Sequence, residues 1–140
     1  MEVRYWQRDL ETMDREALEA LQLQRLRVTV DQALKTGFYK GRLKKAGITS
    51  GADLRTLADV KQIPFTTKSD LREAYPDRLL AVDLDDVVRL HTSSGTTGTP
   101  TVIYHTQEDL NNWTELTTRG VVATGATRRD VFQNMMSLPW

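Results

Sequence analysis

From Asp14 onward the chain alternates between charged and apolar positions with a helical beat. Leu23, Leu26, Val30, Ala33 and Leu34 recur at three- and four-residue steps, which gathers them on one face of a helix. Asp14 is suited to the N-cap of that helix, and Glu16 in its first turn complements the helix dipole. Gly37 is placed to stop the helix in a left-handed cap. Phe38 to Ala46 reads as a short helix closed by Gly47. Asp53 to Gln62 reads as a further helix that ends before Pro64. Thr67, with Asp70 three residues on, then predicts an N-cap for a helix limited by Pro76. Leu79 to Val82, set among Asp77, Asp83, Asp85 and Asp86, reads as an irregular connection to a boundary near residue 84.

Beyond that boundary the pattern changes period. Val87, Val88 and Leu90 form a strand-like run, and Thr101 to Tyr104 form another, rich in β-branched and aromatic residues. Thr106 with Asp109 opens a helix through Leu110, Trp113 and Leu116 toward Gly120 or Ala123, and Asp130 to Met136 reads as a third strand. The expected class is α/β. A helical region over 1–84 leads into an incomplete α/β subdomain over 85–140, which holds a hairpin, a helix and the start of a sheet.

Composition narrows the function classes. The 140 residues carry 19 basic and 19 acidic side chains, a balance that argues against a general nucleic-acid binder, whose affinity needs a basic surplus. No run of about 18 apolar residues offers a membrane span, and the N-terminus lacks the apolar core of a signal peptide, so the expected location is cytoplasmic. Zero cysteines exclude disulfides, thiol nucleophiles and cysteine-ligated metals. The hydrophobic fraction is 39%, slightly lean for a self-contained core.

Chemistry concentrates between the two strands. In Thr92-Ser93-Ser94-Gly95-Thr96-Thr97-Gly98-Thr99-Pro100-Thr101, seven of ten residues bear a hydroxyl and two are glycine. Glycines let backbone N–H groups approach a ligand closely, and hydroxyls surround them with further donors, an arrangement suited to a polyphosphate. The bland alternative is an ordinary hairpin. However, a tight hairpin needs only two to five loop residues, and this segment spends more. The Gly-x-x-x-x-Gly-Lys-Ser/Thr pattern of nucleotide triphosphatases is absent, as is the Gly-x-Ser-x-Gly elbow of serine hydrolases.

Ser93 to Pro100 resembles the phosphate-binding loop of the adenylate-forming superfamily, and the chain is most similar to its phenylacetate–CoA ligases. Tyr5-Trp6, Glu11-Thr12-Met13, Leu21 to Leu26, Phe38-Tyr39, Ile63 to Arg72, Tyr75-Pro76 and Asp130 to Asn134 carry the same resemblance. It implies ATP-dependent activation of an aryl-acetic acid as acyl-adenylate, then transfer to coenzyme A, with Mg²⁺ offsetting phosphate charge. By position, Ser93, Ser94, Gly95, Thr96, Thr97, Gly98, Thr99 and Thr101 would line the cofactor site. Ser94, Thr96, Thr97 and Thr99 would give hydroxyl donors, and Gly95 and Gly98 backbone N–H groups. Thr101 stands where many superfamily members have a lysine or arginine, whereas phenylacetate–CoA ligases, like this chain, tend to have threonine there. The resemblance places the adenine, ribose, Mg²⁺, acyl and catalytic-lysine residues later than residue 140, so no catalytic or metal-ligating residue is assigned here. It also implies a homodimer. Leu138-Pro139-Trp140 departs from the family pattern, which reads as a truncated N-terminal portion, inactive alone.

Other residues read more plainly. Lys35, Lys40, Arg42, Lys44 and Lys45 form a basic run that reads as a solvated face. His91 and His105 should approach each other across the hairpin but are too few for a metal centre. Trp113 reads as core, Tyr5 and Trp6 as docking onto the rest of the protein, and Lys68 and Arg72 as surface. Two alternatives stand beside the ligase portion: a stand-alone module with weak ATP or pyrophosphate affinity, and an interaction protein whose helix from Asp14 to Thr36 docks on a partner.

Overall fold

A computed structural model describes residues 4–93 and 100–133. Its elements in chain order are α1 (Arg8–Glu11), α2 (Arg15–Ala33), α3 (Tyr39–Lys45), α4 (Lys68–Glu73), β1 (Val87–Thr92), β2 (Val102–Thr106) and α5 (Gln107–Ala123). Short 3₁₀ turns at Gly51–Asp53, Leu57–Gln62 and Leu84–Asp86 connect them.

α2 starts where Asp14 caps it, the carboxylate accepting from the Ala17 N–H at 2.9 Å. Its apolar face does the expected packing. Val30 joins Leu43, Ile48 and Leu54 in the buried centre, with Leu23, Leu26, Ala33 and Leu34 packed against them. The core is thus a helix closed over by the chain that follows it. α2 does not end as Gly37 suggested, because Gly37 is not left-handed. Thr36 makes the turn instead: its hydroxyl donates to the Ala33 carbonyl and accepts from the Tyr39 N–H. Gly47 does hold the left-handed conformation after α3, at φ 79°.

The helix expected over Asp53 to Gln62 is two separate 3₁₀ turns. The reason is local. Asp53 accepts from the backbone N–H groups of Thr49 and Ser50, and Asp59 from those of Arg55 and Thr56, so each aspartate caps its own turn and neither can continue the other. Gly51 holds the first turn against α2. A Cβ there would lie 2.2 Å from the Arg27 carbonyl oxygen, and the Gly51 N–H donates to Asp31 at 2.7 Å. No other residue type fits that approach.

α4 has the capping box of Thr67 and Asp70 and stops before Pro76, as expected. Within the basic run, Lys35, Lys40, Lys44 and Lys45 are exposed. Arg42 instead pairs with Asp70 at 3.0 Å, donates to the Phe65 carbonyl and lies 4.6 Å from the Phe38 ring. Lys68 is exposed and Arg72 half-buried.

β1 and β2 form an antiparallel hairpin, with Leu90 opposite Tyr104, Thr92 opposite Val102, and an irregularity between Val87 and Arg89. α5 follows directly, opened by the capping box of Thr106 and Asp109. The N-terminal segment is tied to α5. Trp6 Nε1 and Gln7 Nε2 donate to Glu115 at 2.6 and 2.8 Å, and Arg119 donates to the Gln7 side-chain carbonyl. This bears out the expected docking of Trp6. Of the third strand expected over Asp130 to Met136, the described part, Asp130 to Gln133, is irregular, and the rest lies outside the described residues.

Candidate functional site

The hairpin sets the site. Thr92 opposite Val102 is the last regular pair of its ladder. One step further, the Ser93 N–H donates to the Thr101 carbonyl at 2.9 Å, and the Thr101 N–H donates to the Ser93 hydroxyl oxygen, also at 2.9 Å. Ser93 and Thr101 are therefore brought together as the neck of the loop. Thr101 is only 6% exposed, and its own Oγ1 is buried without a hydrogen-bond partner among the described residues. Ser94, Gly95, Thr96, Thr97, Gly98 and Thr99 lie outside the described residues.

Below the neck, one face of the hairpin carries both histidines. The His91 and His105 rings sit 4.9 Å apart between centroids, as the hairpin geometry predicted. Trp113 of α5 meets them at 5.3 and 5.8 Å, edge-on to His91 and stacked on His105. Trp113 remains 49% exposed, so it is an aromatic brace on the hairpin rather than a core residue. Its position fixes α5 to the strands that hold the loop.

Tyr104 lies on the opposite face. Burial raises its phenol above the ordinary range, with further contributions from Tyr75 and Asp77. It borders an open cleft of about 1070 Å³ also lined by Leu21, Val28, Leu80, Leu116 and Arg119. Neither Ser93 nor Thr101 lines this cleft.

At the neck both N–H groups are spent within the hairpin, so among the described residues only the Ser93 and Thr101 hydroxyl hydrogens are left to donate there. Among the described residues no group of three or more His, Cys, Asp or Glu side chains could hold a metal ion, so no step is assigned to Mg²⁺. Two features escaped the sequence reading: the close approach at Gly51 and the Gln7–Glu115–Arg119 cluster. Both join residues distant in sequence, and neither leaves a local signal.

No family model matches the chain. Curated relatives do. A phenylacetate-coenzyme A ligase of Escherichia coli is 42% identical over 122 residues, covering 86% of this chain and 28% of the relative. Those of Thermus thermophilus and Pseudomonas putida are 44% and 42% identical over the same length, covering 27% and 28% of the relatives. Among solved structures, 2-hydroxyisobutyryl-CoA ligase in the postadenylation state with R3-HIB-AMP matches at TM-score 0.76 and 25% identity, over 89% of this chain and 27% of the other. The same ligase with 2-HIB-AMP and CoA matches at TM-score 0.72 and 29% identity, over 82% of this chain and 25% of the other. The chain thus spans about a quarter of the length of the proteins it matches. No helix among the described residues is long and apolar enough to cross a membrane. By sequence the chain is similar to a portion of the phenylacetate-coenzyme A ligases, and by fold to the N-terminal part of an adenylate-forming CoA ligase.

Proposed function

We propose that this chain supplies the polyphosphate-binding part of an ATP-dependent aryl-acetate–CoA ligase. The observation that carries the reading is the 38–44% identity to phenylacetate-coenzyme A ligases over 86% of the chain or more. The hydroxyl- and glycine-rich loop at the head of the hairpin supports it.

In the complete reaction a carboxylate oxygen of the acid attacks the α-phosphorus of ATP. The bond between the α-phosphorus and its bridging oxygen breaks, and pyrophosphate leaves. The CoA sulfur then attacks the acyl carbon, the acyl–phosphate bond breaks, AMP leaves, and the thiol proton is released. Ser94, Thr96, Thr97 and Thr99 donate to the β- and γ-phosphates together with the backbone N–H groups of Gly95 and Gly98. Ser93 and Thr101 close the base of the loop. This is positioning and charge stabilisation rather than covalent work. Mg²⁺, when bound to the nucleotide, offsets phosphate charge. The division of labour falls near residue 84: residues 1–84 are a helical support, and residues 85–140 carry the loop. ATP and CoA place the reaction in the cytoplasm, and the assembled enzyme is a homodimer.

The 140 residues bind the polyphosphate without completing turnover, because the acid and the adenine are held by residues further along the family's sequence. ATP should raise the melting temperature of the purified chain, and a Gly95→Val, Gly98→Val double variant should lose that rise. An equal rise in the variant would remove the loop from the site. Phenylacetate-dependent exchange of pyrophosphate into ATP by the chain alone would overturn the claim that it is catalytically incomplete. The partner-docking alternative is disfavoured by α2, whose apolar face is spent on the chain's own core.

A further inference from the structure

We propose that the chain pairs with a second copy of itself about a twofold axis beside α4, the Phe65 ring of each copy seated in the open cleft of the other. This deepens the homodimer of the ligase reading and rests on that reading only there.

Phe65 is an apolar side chain on a fixed mount. Its ring is 92% exposed. The backbone that carries it is nevertheless held from both sides. Its carbonyl accepts from Arg42 Nη2 at 3.0 Å, and Arg42 is itself paired with Asp70 at 3.0 Å. The Thr66 and Tyr39 hydroxyls share a hydrogen bond at 2.7 Å, and the Thr67 N–H donates to Asp70 at 2.7 Å. A ring displayed from an ordered backbone loses little freedom when a partner buries it, which is what makes an aromatic anchor effective.

The receptor is on the same molecule. The cleft of about 1070 Å³ is lined by Leu21 and Val28 of α2, Leu71 of α4, Tyr75 just beyond it and Leu116 of α5; Phe65 of the same chain does not line it. Ring and cleft thus lie toward opposite ends of α4, a helix of six residues and roughly 9 Å. That short separation lets one twofold axis seat both rings at once, so the contact closes as a dimer. Charge selects the second copy as occupant. Phe65 stands between the exposed Lys61 and Lys68, and Lys40, also exposed, follows Tyr39. Between the cleft-lining Val82 and Val87 lie Asp83, Asp85 and Asp86, all exposed and with no cation among them, and Glu108 lines the cleft as well. Of the two arginines that line it, Arg25 and Arg119, the second is held by Gln7. A basic surface around an apolar ring therefore meets an apolar cleft with an acidic edge.

Sedimentation equilibrium of the purified chain should show a monomer–dimer exchange that weakens as salt rises. Phe65→Ala should raise the dimer Kd by roughly 30-fold or more, while its urea unfolding at dilutions where wild type is monomeric stays unchanged. Lys61→Glu with Lys68→Glu should weaken the dimer, as should Asp83→Lys with Asp85→Lys and Asp86→Lys. All five substitutions in one chain should restore it, because each reversed surface then faces the other. A dimer indifferent to Phe65→Ala, or a five-substitution chain that stays monomeric, would put the contact elsewhere and overturn the proposal. Assemblies larger than a dimer would overturn the twofold closure. A wild-type chain monomeric at every concentration would overturn the proposal and leave the cleft to another part of the longer ligases. An ATP-dependent rise in melting temperature in that same sample would keep the ligase reading standing, and a dimer with no such rise would do the reverse. Should the Phe65→Ala chain fail to fold, the charge series decides.

Discussion

At the scale of single residues, three positions hold much of the argument. Leu54 is fully buried in the small core formed with Val30, Leu43 and Ile48. Leu54→Ala should cost about 2–5 kcal/mol in urea denaturation. Phe65→Ala, at a side chain 92% exposed, should change stability by less than about 0.5 kcal/mol. Gly51 is under a stricter constraint, since a methyl group there would press on the Arg27 carbonyl. Gly51→Ala should destabilise by about 1–3 kcal/mol as α2 and the 3₁₀ turn are forced apart; a wild-type denaturation midpoint would contradict the close approach. Neither position was disclosed by the sequence. Leu54 is a lone apolar residue between Asp53 and Arg55, and the need for glycine at 51 arises from a helix 24 residues upstream.

Among the elements, the caps were the most legible features, because a cap depends on residues three apart. Asp14, Thr67 and Thr106 each stand where their spacing predicted. The same logic explains the helix that did not form between Asp53 and Gln62. Ser50 with Asp53 and Thr56 with Asp59 are two successive caps, and two caps six residues apart make two turns. These carboxylates also tie the fold to pH. Backbone N–H bonds, from Thr49 to Asp53, Thr56 to Asp59, Thr67 to Asp70 and Thr127 to Asp130, hold each acid below its ordinary range. A carboxylate whose pKa is lower when folded contributes stability above its unfolded value and loses it as the pH falls through the folded one. Resistance to urea should therefore be level near neutrality and decline as the pH drops below about 4. Asp70→Asn should make that decline shallower, and an acid limb identical to wild type would exclude Asp70 from it. The tether between the N-terminal segment and α5 gives another element-scale expectation. Glu115→Ala removes the acceptor for both Trp6 and Gln7, so cleavage by trypsin at Arg4 and Arg8 should accelerate while the α2 core stays intact. Unchanged cleavage would mean that the tether does not hold the segment.

For the whole molecule, the lean apolar fraction matches the exposed surface of the hairpin and α5. Val88, Leu90, Ile103, Trp113 and Leu116 remain exposed around a sheet of two strands among the described residues. Relatives about four times longer than their matched portion put this in context: the helices and hairpin match one section of those ligases. The glycines and hydroxyls between the strands read as a phosphate cradle in the sequence, and residues 94–99 lie outside the described residues. The Ser93–Thr101 neck was not legible there, because it depends on which of two acceptors on one serine a distant N–H selects. The most direct test of the central claim is a chimera. The 122-residue stretch of the Escherichia coli phenylacetate-coenzyme A ligase that matches this chain would be replaced by the corresponding residues of this protein, and phenylacetate-dependent AMP release with CoA measured. The account predicts a folded chimera that releases AMP and loses this activity on Gly95→Val, Gly98→Val substitution. A chimera that folds, binds CoA and releases no AMP would contradict it.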